Sequence, residues 1–127
     1  MELLTGVSIE KLAPFSKNEK GMTIEKAERS GKAYLLGYRN KGVEFGNHFH
    51  RGRSISKNPE LLWLISGRWK LSVRNIIEDN FKTTELKAPV RVEIHPNIIH
   101  KIYSKTDSIF IEFNSLQEHI DDTEYPD

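Results

Sequence analysis

The chain of 127 residues is 29% charged with a formal net charge of +1 and has no cysteine; the length fits one domain over residues 1–127, and the missing thiols remove disulfide frameworks and thiolate metal sites. The balanced charge gives no electrostatic reason to expect nucleic acid or an anionic membrane surface as partner. The longest apolar run, Leu61-Leu62-Trp63-Leu64-Ile65, falls far short of the roughly 20 residues that span a bilayer, and Met1-Glu2-Leu3-Leu4-Thr5 lacks the basic and apolar regions of a signal peptide, so a soluble cytoplasmic protein is expected.

Residues 1–20 read as an arm and a loop, with a helical hint at Ser8-Ile9-Glu10-Lys11-Leu12 before Pro14 and a turn at Ser16–Gly21. From Met22 the pattern becomes short β-like runs bounded by glycine, serine and asparagine: 22–27, 32–38 and 43–50. In the third, strict alternation places Val43, Phe45 and Phe49 on one face and Glu44, Gly46, His48 and His50 on the other. The stretch Arg51–Pro59 has the composition of a loop, and its cations suggest a solvated basic surface more than a phosphate contact. Glu60–Ser66 is apolar on both faces after its first residue, as in a strand covered on both sides, which leads us to expect a homodimer. Trp69–Arg74 alternates without a break, and further strands follow at 81–86, 90–94, 100–104 and 108–114 before a short C-terminal helix and an acidic tail. Eight or nine closely spaced strands with turn chemistry between them predict an all-β jelly-roll barrel.

The polar face of the third strand carries the chemistry. His48 and His50, one residue apart, project to the same side of a strand. With Glu60 and His100 arriving from other strands they would make a three-nitrogen, one-oxygen site for a divalent metal ion: Zn²⁺, Mn²⁺, Fe²⁺, Ni²⁺ or Cu²⁺. Without an ion, His48 or His50 could act as a base near neutral pH, with Tyr38 as the acid and Tyr34 or Tyr103 as other phenols. The two mechanisms exclude each other, because a ligating imidazole is not a free base. His95 is expected to be structural or exposed, and His119 to lie on the surface.

Residues 33–114 resemble a cupin, with its double-stranded β-helix barrel. The first cupin motif is matched by Gly42, His48-Phe49-His50, and Glu60 with six residues between it and Gly67; nine residues, Arg51–Pro59, stand where the family has three or four. Of the second motif His100 survives, with Asn97 in the place of a turn glycine, a substitution asparagine's tolerance of left-handed backbone permits. The order of parts is similar to that of small sugar-nucleotide 3,5-epimerase-like and 3,4-ketoisomerase-like cupins of polysaccharide synthesis. That resemblance implies a sugar or nucleotide sugar as ligand and an isomerase or epimerase reaction centred on His48 and His50. Where the epimerases carry an arginine before the first histidine, this chain has Gly46-Asn47, so the epimerase reaction itself is not implied, and the ketoisomerases, with histidine at both positions, resemble this chain more. The alternatives are a metal-dependent cupin oxygenase or lyase and a sugar-binding cupin without catalysis.

Overall fold

The structure, a computed structural model, describes residues 1–29 and 33–126. Its strands are β1 (Glu2–Leu4), β2 (Val7–Lys11), β3 (Ser16–Asn18), β4 (Gly21–Thr23), β5 (Leu35–Arg39), β6 (Glu44–His48), β7 (Glu60–Ser66), β8 (Arg68–Asn75), β9 (Asn80–Lys87), β10 (Val90–Ile94), β11 (Ile98–Ser104) and β12 (Ser108–Glu112), followed by helix α1 (Leu116–Asp121). Six of them form one antiparallel sheet in the order β1-β2-β10-β7-β12-β5, and four form a second in the order β6-β11-β8-β9. The core lies between the sheets. Leu62, Leu64, Val90, Val92, Ile94 and Phe110 face it from the first, and Trp69, Leu71, Val73, Ile98 and Ile102 from the second, all buried. This is the double-stranded β-helix of the cupins.

Four expectations change. The helical hint at residues 8–12 is strand β2, because Val7 and Ile9 pair against Ile94 and Val92 of β10 and Val7 is buried in the core; a free sheet edge overrides a weak helical pattern. The strand expected at 22–27 stops at Thr23. Beyond it Glu28 crosses the outer face of the first sheet, where it accepts hydrogen bonds from Trp63 Nε1 at 3.0 Å and Arg91 Nε at 2.7 Å. Of the strand expected at 32–38, Lys32 lies outside the described residues, and β5 begins at Leu35.

The fourth change shapes the site. Alternation along β6 breaks at Gly46 and Asn47, both left-handed with φ of 84° and 55°. Phe45 pairs with Ile102 and His48 with His100, so one extra residue is accommodated as a bulge. Phe45 and His48 therefore both face the interior, where strict alternation separates them. Gly46 is required there because a Cβ would lie 2.9 Å from the His100 carbonyl oxygen.

Candidate metal and reaction centre

The bulge delivers His48 to the barrel interior beside His100, with ring centroids 4.6 Å apart, and His50 follows at 5.0 Å from His48. His50 is fixed by its own backbone. Its carbonyl accepts from Asn97 N at 2.8 Å, and next to it Phe49 and Glu124 exchange two backbone hydrogen bonds at 2.9 Å. Asn97 adopts the left-handed φ of 67° expected of it. Glu60, the first residue of β7, enters from the opposite sheet and is fully buried.

The hydrogen bonds of the two buried imidazoles decide what their inner nitrogens can do. His50 Nδ1 lies 2.7 Å from the Asp122 carbonyl oxygen and His100 Nδ1 lies 3.0 Å from the Ile98 carbonyl oxygen. A carbonyl oxygen only accepts, so in both rings Nδ1 carries the hydrogen. In the neutral rings the bare Nε2 lone pairs then point at one carboxylate oxygen, Glu60 Oε2, from 2.9 Å for His50 and 3.2 Å for His100. His50 Nε2 and Glu60 Oε2 are buried without a hydrogen-bond partner. Lone pair against lone pair is repulsive, and a proton or a cation between them removes the conflict. The donor set fits a divalent ion: imidazoles oriented by Nδ1–H bonds to backbone carbonyls are the usual second-sphere arrangement of metal-binding histidine. His48, His50 and His100 each offer a ring nitrogen within 4.8 Å of the others, as do His50 and His119 with a carboxylate oxygen of Glu60.

Charge in the cluster is set by Lys57, which sequence reasoning left in a solvated basic loop. Its side chain is fully buried, with Nζ 2.9 Å from Glu60 Oε1 and 3.6 Å from Glu112 Oε2, and it donates to His119 Nδ1 at 3.1 Å. Burial alone would raise the Glu60 pKa, but its neighbours, the Lys57 ammonium first, outweigh it and hold the group well below the ordinary carboxylate value. Glu112 moves the other way, raised by burial and by the Glu60 charge. Burial, then His100, pushes His48 down to about 2, and burial, then Lys57, pushes His119 down to about 4. Both are neutral at physiological pH.

His119 is thus a pocket residue and not a surface one. The other cations of the loop are also engaged: Arg51 Nε and Arg53 bind the Glu124 carboxylate at 2.7 and 2.8 Å. The nine-residue spacer was the only sign of this in the sequence; a loop more than twice the usual length must pack somewhere, and it packs on the tail. His95 is exposed at the rim, as expected, with its Nε2 3.7 Å from Glu93.

The tyrosines are not where the base mechanism needs them. Tyr38 pairs with Ile109, one residue out of phase with the Gly37–Phe110 pair that faces the core, so its ring lies on the outer face of the first sheet, 65% exposed. Tyr34 and Tyr103 are exposed as well. Strand parity separates Tyr38 and Tyr103 from the imidazoles, and Tyr34 precedes β5. The phenol brought to the cluster is Tyr125, whose exposed ring lies 5.8 Å from that of His48.

The cavity among Phe45, His48, Glu60, Leu62, His100 and Glu112 measures about 20 Å³, room for one water or ion. A larger groove of about 420 Å³ lies outside the second sheet, lined by Glu44, Lys70, Glu85, Lys101 and Lys105. Its cations and carboxylates interleave, with Lys105 and Glu85 paired at 2.7 Å, as on an ordinary solvated face.

No protein-family profile and no curated protein matches the sequence. Solved structures match the fold over most of the chain, among them dTDP-sugar epimerases and sugar ketoisomerases. A sugar 3,4-ketoisomerase from Thermoanaerobacterium thermosaccharolyticum, in complex with TDP, superposes with a TM-score of 0.72 at 16% identity, covering 97% of this chain and 90% of its own. A dTDP-4-dehydrorhamnose 3,5-epimerase from Sulfolobus tokodaii gives 0.70 at 19% identity over 89% of this chain and 72% of that one. A dTDP-6-deoxy-D-glucose-3,5-epimerase from Legionella pneumophila, in complex with dTDP-4-keto-L-rhamnose, gives 0.71 at 13% identity over 96% and 73%.

Proposed function

We propose that this chain is a homodimeric cupin of isomerase or epimerase type acting on a sugar or nucleotide sugar, with a divalent cation held by His48, His50, Glu60 and His100. The observation that carries the cation is the pair of Nε2 lone pairs aimed at Glu60 Oε2. The sugar-nucleotide class is supported by near-complete superposition on a ketoisomerase crystallised with TDP. An ion bound there supplies Lewis-acid polarisation of a sugar carbonyl or hydroxyl oxygen. The residues do the rest. Asp122 and Ile98 orient two imidazoles through their carbonyls, Lys57 balances the Glu60 charge, and the walls of the small cavity keep bulk water from the inner nitrogens. The sugar meets the cluster on the His48 and Tyr125 side, since the cavity has no room for it.

A second reading without an ion makes His48 the base and Tyr125 the acid. The Tyr125 ring 5.8 Å from that of His48 favours that reading, and the lowered basicity of the buried imidazole works against it.

Elemental analysis of untagged protein beside a His48→Ala, His50→Ala variant tests the cation: about one ion per chain in the parent and none in the folded variant is expected. Incubation with dTDP-4-keto-6-deoxyglucose in D₂O tests the chemistry. Deuterium should appear at a carbon next to the keto group. No ion after metals are added back sinks the cation, and no exchange with ion-loaded protein sinks the isomerase.

A further inference from the structure

Lys57 sits where a second cation would bind. Its ammonium has three acceptors around it: Glu60 Oε1 at 2.9 Å, His119 Nδ1 at 3.1 Å and Glu112 Oε2 at 3.6 Å. An imidazole nitrogen and two carboxylate oxygens are a ligand set for Zn²⁺ or Mn²⁺. The residues come from three separate elements, the start of β7, the end of β12, and α1, so they converge only in the folded chain. Glu60 belongs to both positions, one oxygen facing His50 and His100 and the other facing Lys57. The Glu112 oxygen nearest the ammonium has no hydrogen bond of normal length.

The lysine reaches this position because Arg51–Pro59 is long enough to fold its seventh residue inward. Its side chain has no exposed surface. A buried ammonium is costly unless paired and hydrogen-bonded, and here it lies between two carboxylates, with the Glu60 charge felt at Glu112.

We propose that the Lys57 ammonium is a built-in cation that fills a second metal position formed by Glu60, Glu112 and His119, and so limits the pocket to one divalent ion. The inference extends the ion reading of the first position, yet the two stand or fall separately. Lys57 is a positioning residue in this account. It directs Glu60 Oε2 toward His50 and His100 and keeps His119 and Glu112 from ligating.

The test compares zinc content after equilibration with Zn²⁺ and gel filtration in the parent, Lys57→Ala, and Lys57→Ala with His119→Ala. Lys57→Ala should hold one zinc ion more per chain than the parent, and the added His119→Ala should remove that ion. Equal zinc in the parent and a folded Lys57→Ala overturns the proposal, as does an extra ion that survives His119→Ala. If Lys57→Ala is unfolded without metal, circular dichroism with added Zn²⁺ decides: recovery of the β spectrum with the extra ion supports the second position, and no recovery overturns it. A parent without zinc counts against the first position only, because the second is read from the difference.

Discussion

The state of individual side chains in the pocket is governed by burial against pairing. His48 is neutral in the folded protein because burial and the neighbouring His100 depress its pKa from 6.5 to about 2. The unfolded chain binds a proton at this residue below pH 6.5, and the folded chain does not until far lower. The unfolded state therefore binds more protons across that interval, so stability falls as pH drops. His119, depressed to about 4, acts in the same direction. Glu112, raised by burial, opposes them: its contribution is present at low pH and lost as pH rises through its folded value. In metal-free protein, His48→Asn should flatten the acid limb of the stability curve by up to about 1.4 kcal/mol per pH unit, the limit for one proton. Urea titrations of parent and variant at pH 7, 6 and 5 measure this. Parallel curves would show that His48 protonates equally in both states.

At the scale of elements, the long loop after β6 and the C-terminal segment are one structure. Asp122, fully buried, accepts backbone hydrogen bonds from Arg51 at 3.0 Å and Ser54 at 3.1 Å. Ser56 Oγ donates to Glu118 at 2.6 Å, and Glu118 also completes the capping box of α1 with Ser115. None of the helix's own residues is buried, so these polar contacts, and not an apolar face, hold it in place. A helix of six residues has little stability of its own. Asp122→Ala leaves two backbone N–H groups without acceptors, at a cost of about 1–3 kcal/mol each where water cannot replace the carboxylate. Hydrogen exchange should then quicken at residues 51–57 and 116–124 together, with β8 and β9 unaffected. Loss of protection in the loop alone would show that the two segments are not coupled. Because the Asp122 carbonyl also orients His50, ion affinity should fall in the same variant.

For the molecule as a whole, the two sheets bury their inner faces against each other and leave part of one outer face bare. Glu28 and Arg91 cover Trp63 on the first sheet, but Leu36, Tyr38 and Ile65 remain exposed. The inner face of β7 is buried as expected, while its outer face grades from buried Leu61 to exposed Ile65. A homodimer through this face would cover them. Light scattering should give twice the chain mass for the parent, and Leu36→Glu with Tyr38→Glu should give the single-chain mass with an unchanged β spectrum. A parent that runs as a monodisperse monomer removes the dimer. No helix among the described residues is long and apolar enough to cross a membrane.

The strands from β6 to β12 and the four residues His48, His50, Glu60 and His100 were legible in the sequence, because strand alternation, glycine and proline punctuation and His-x-His spacing are local signals with a local cause. Asn97 was legible for the same reason: left-handed backbone is a property of the residue itself. Tertiary structure alone decided the rest. The bulge that turns Phe45 and His48 to one side depends on pairing with β11. Strand β2 exists because β10 presents an edge. Lys57, Glu112 and His119 join the pocket, and Tyr38 leaves it, through strand parity and long-range charge pairing. Burying an ammonium is favourable only where distant carboxylates converge to meet it, and no window of sequence contains that information.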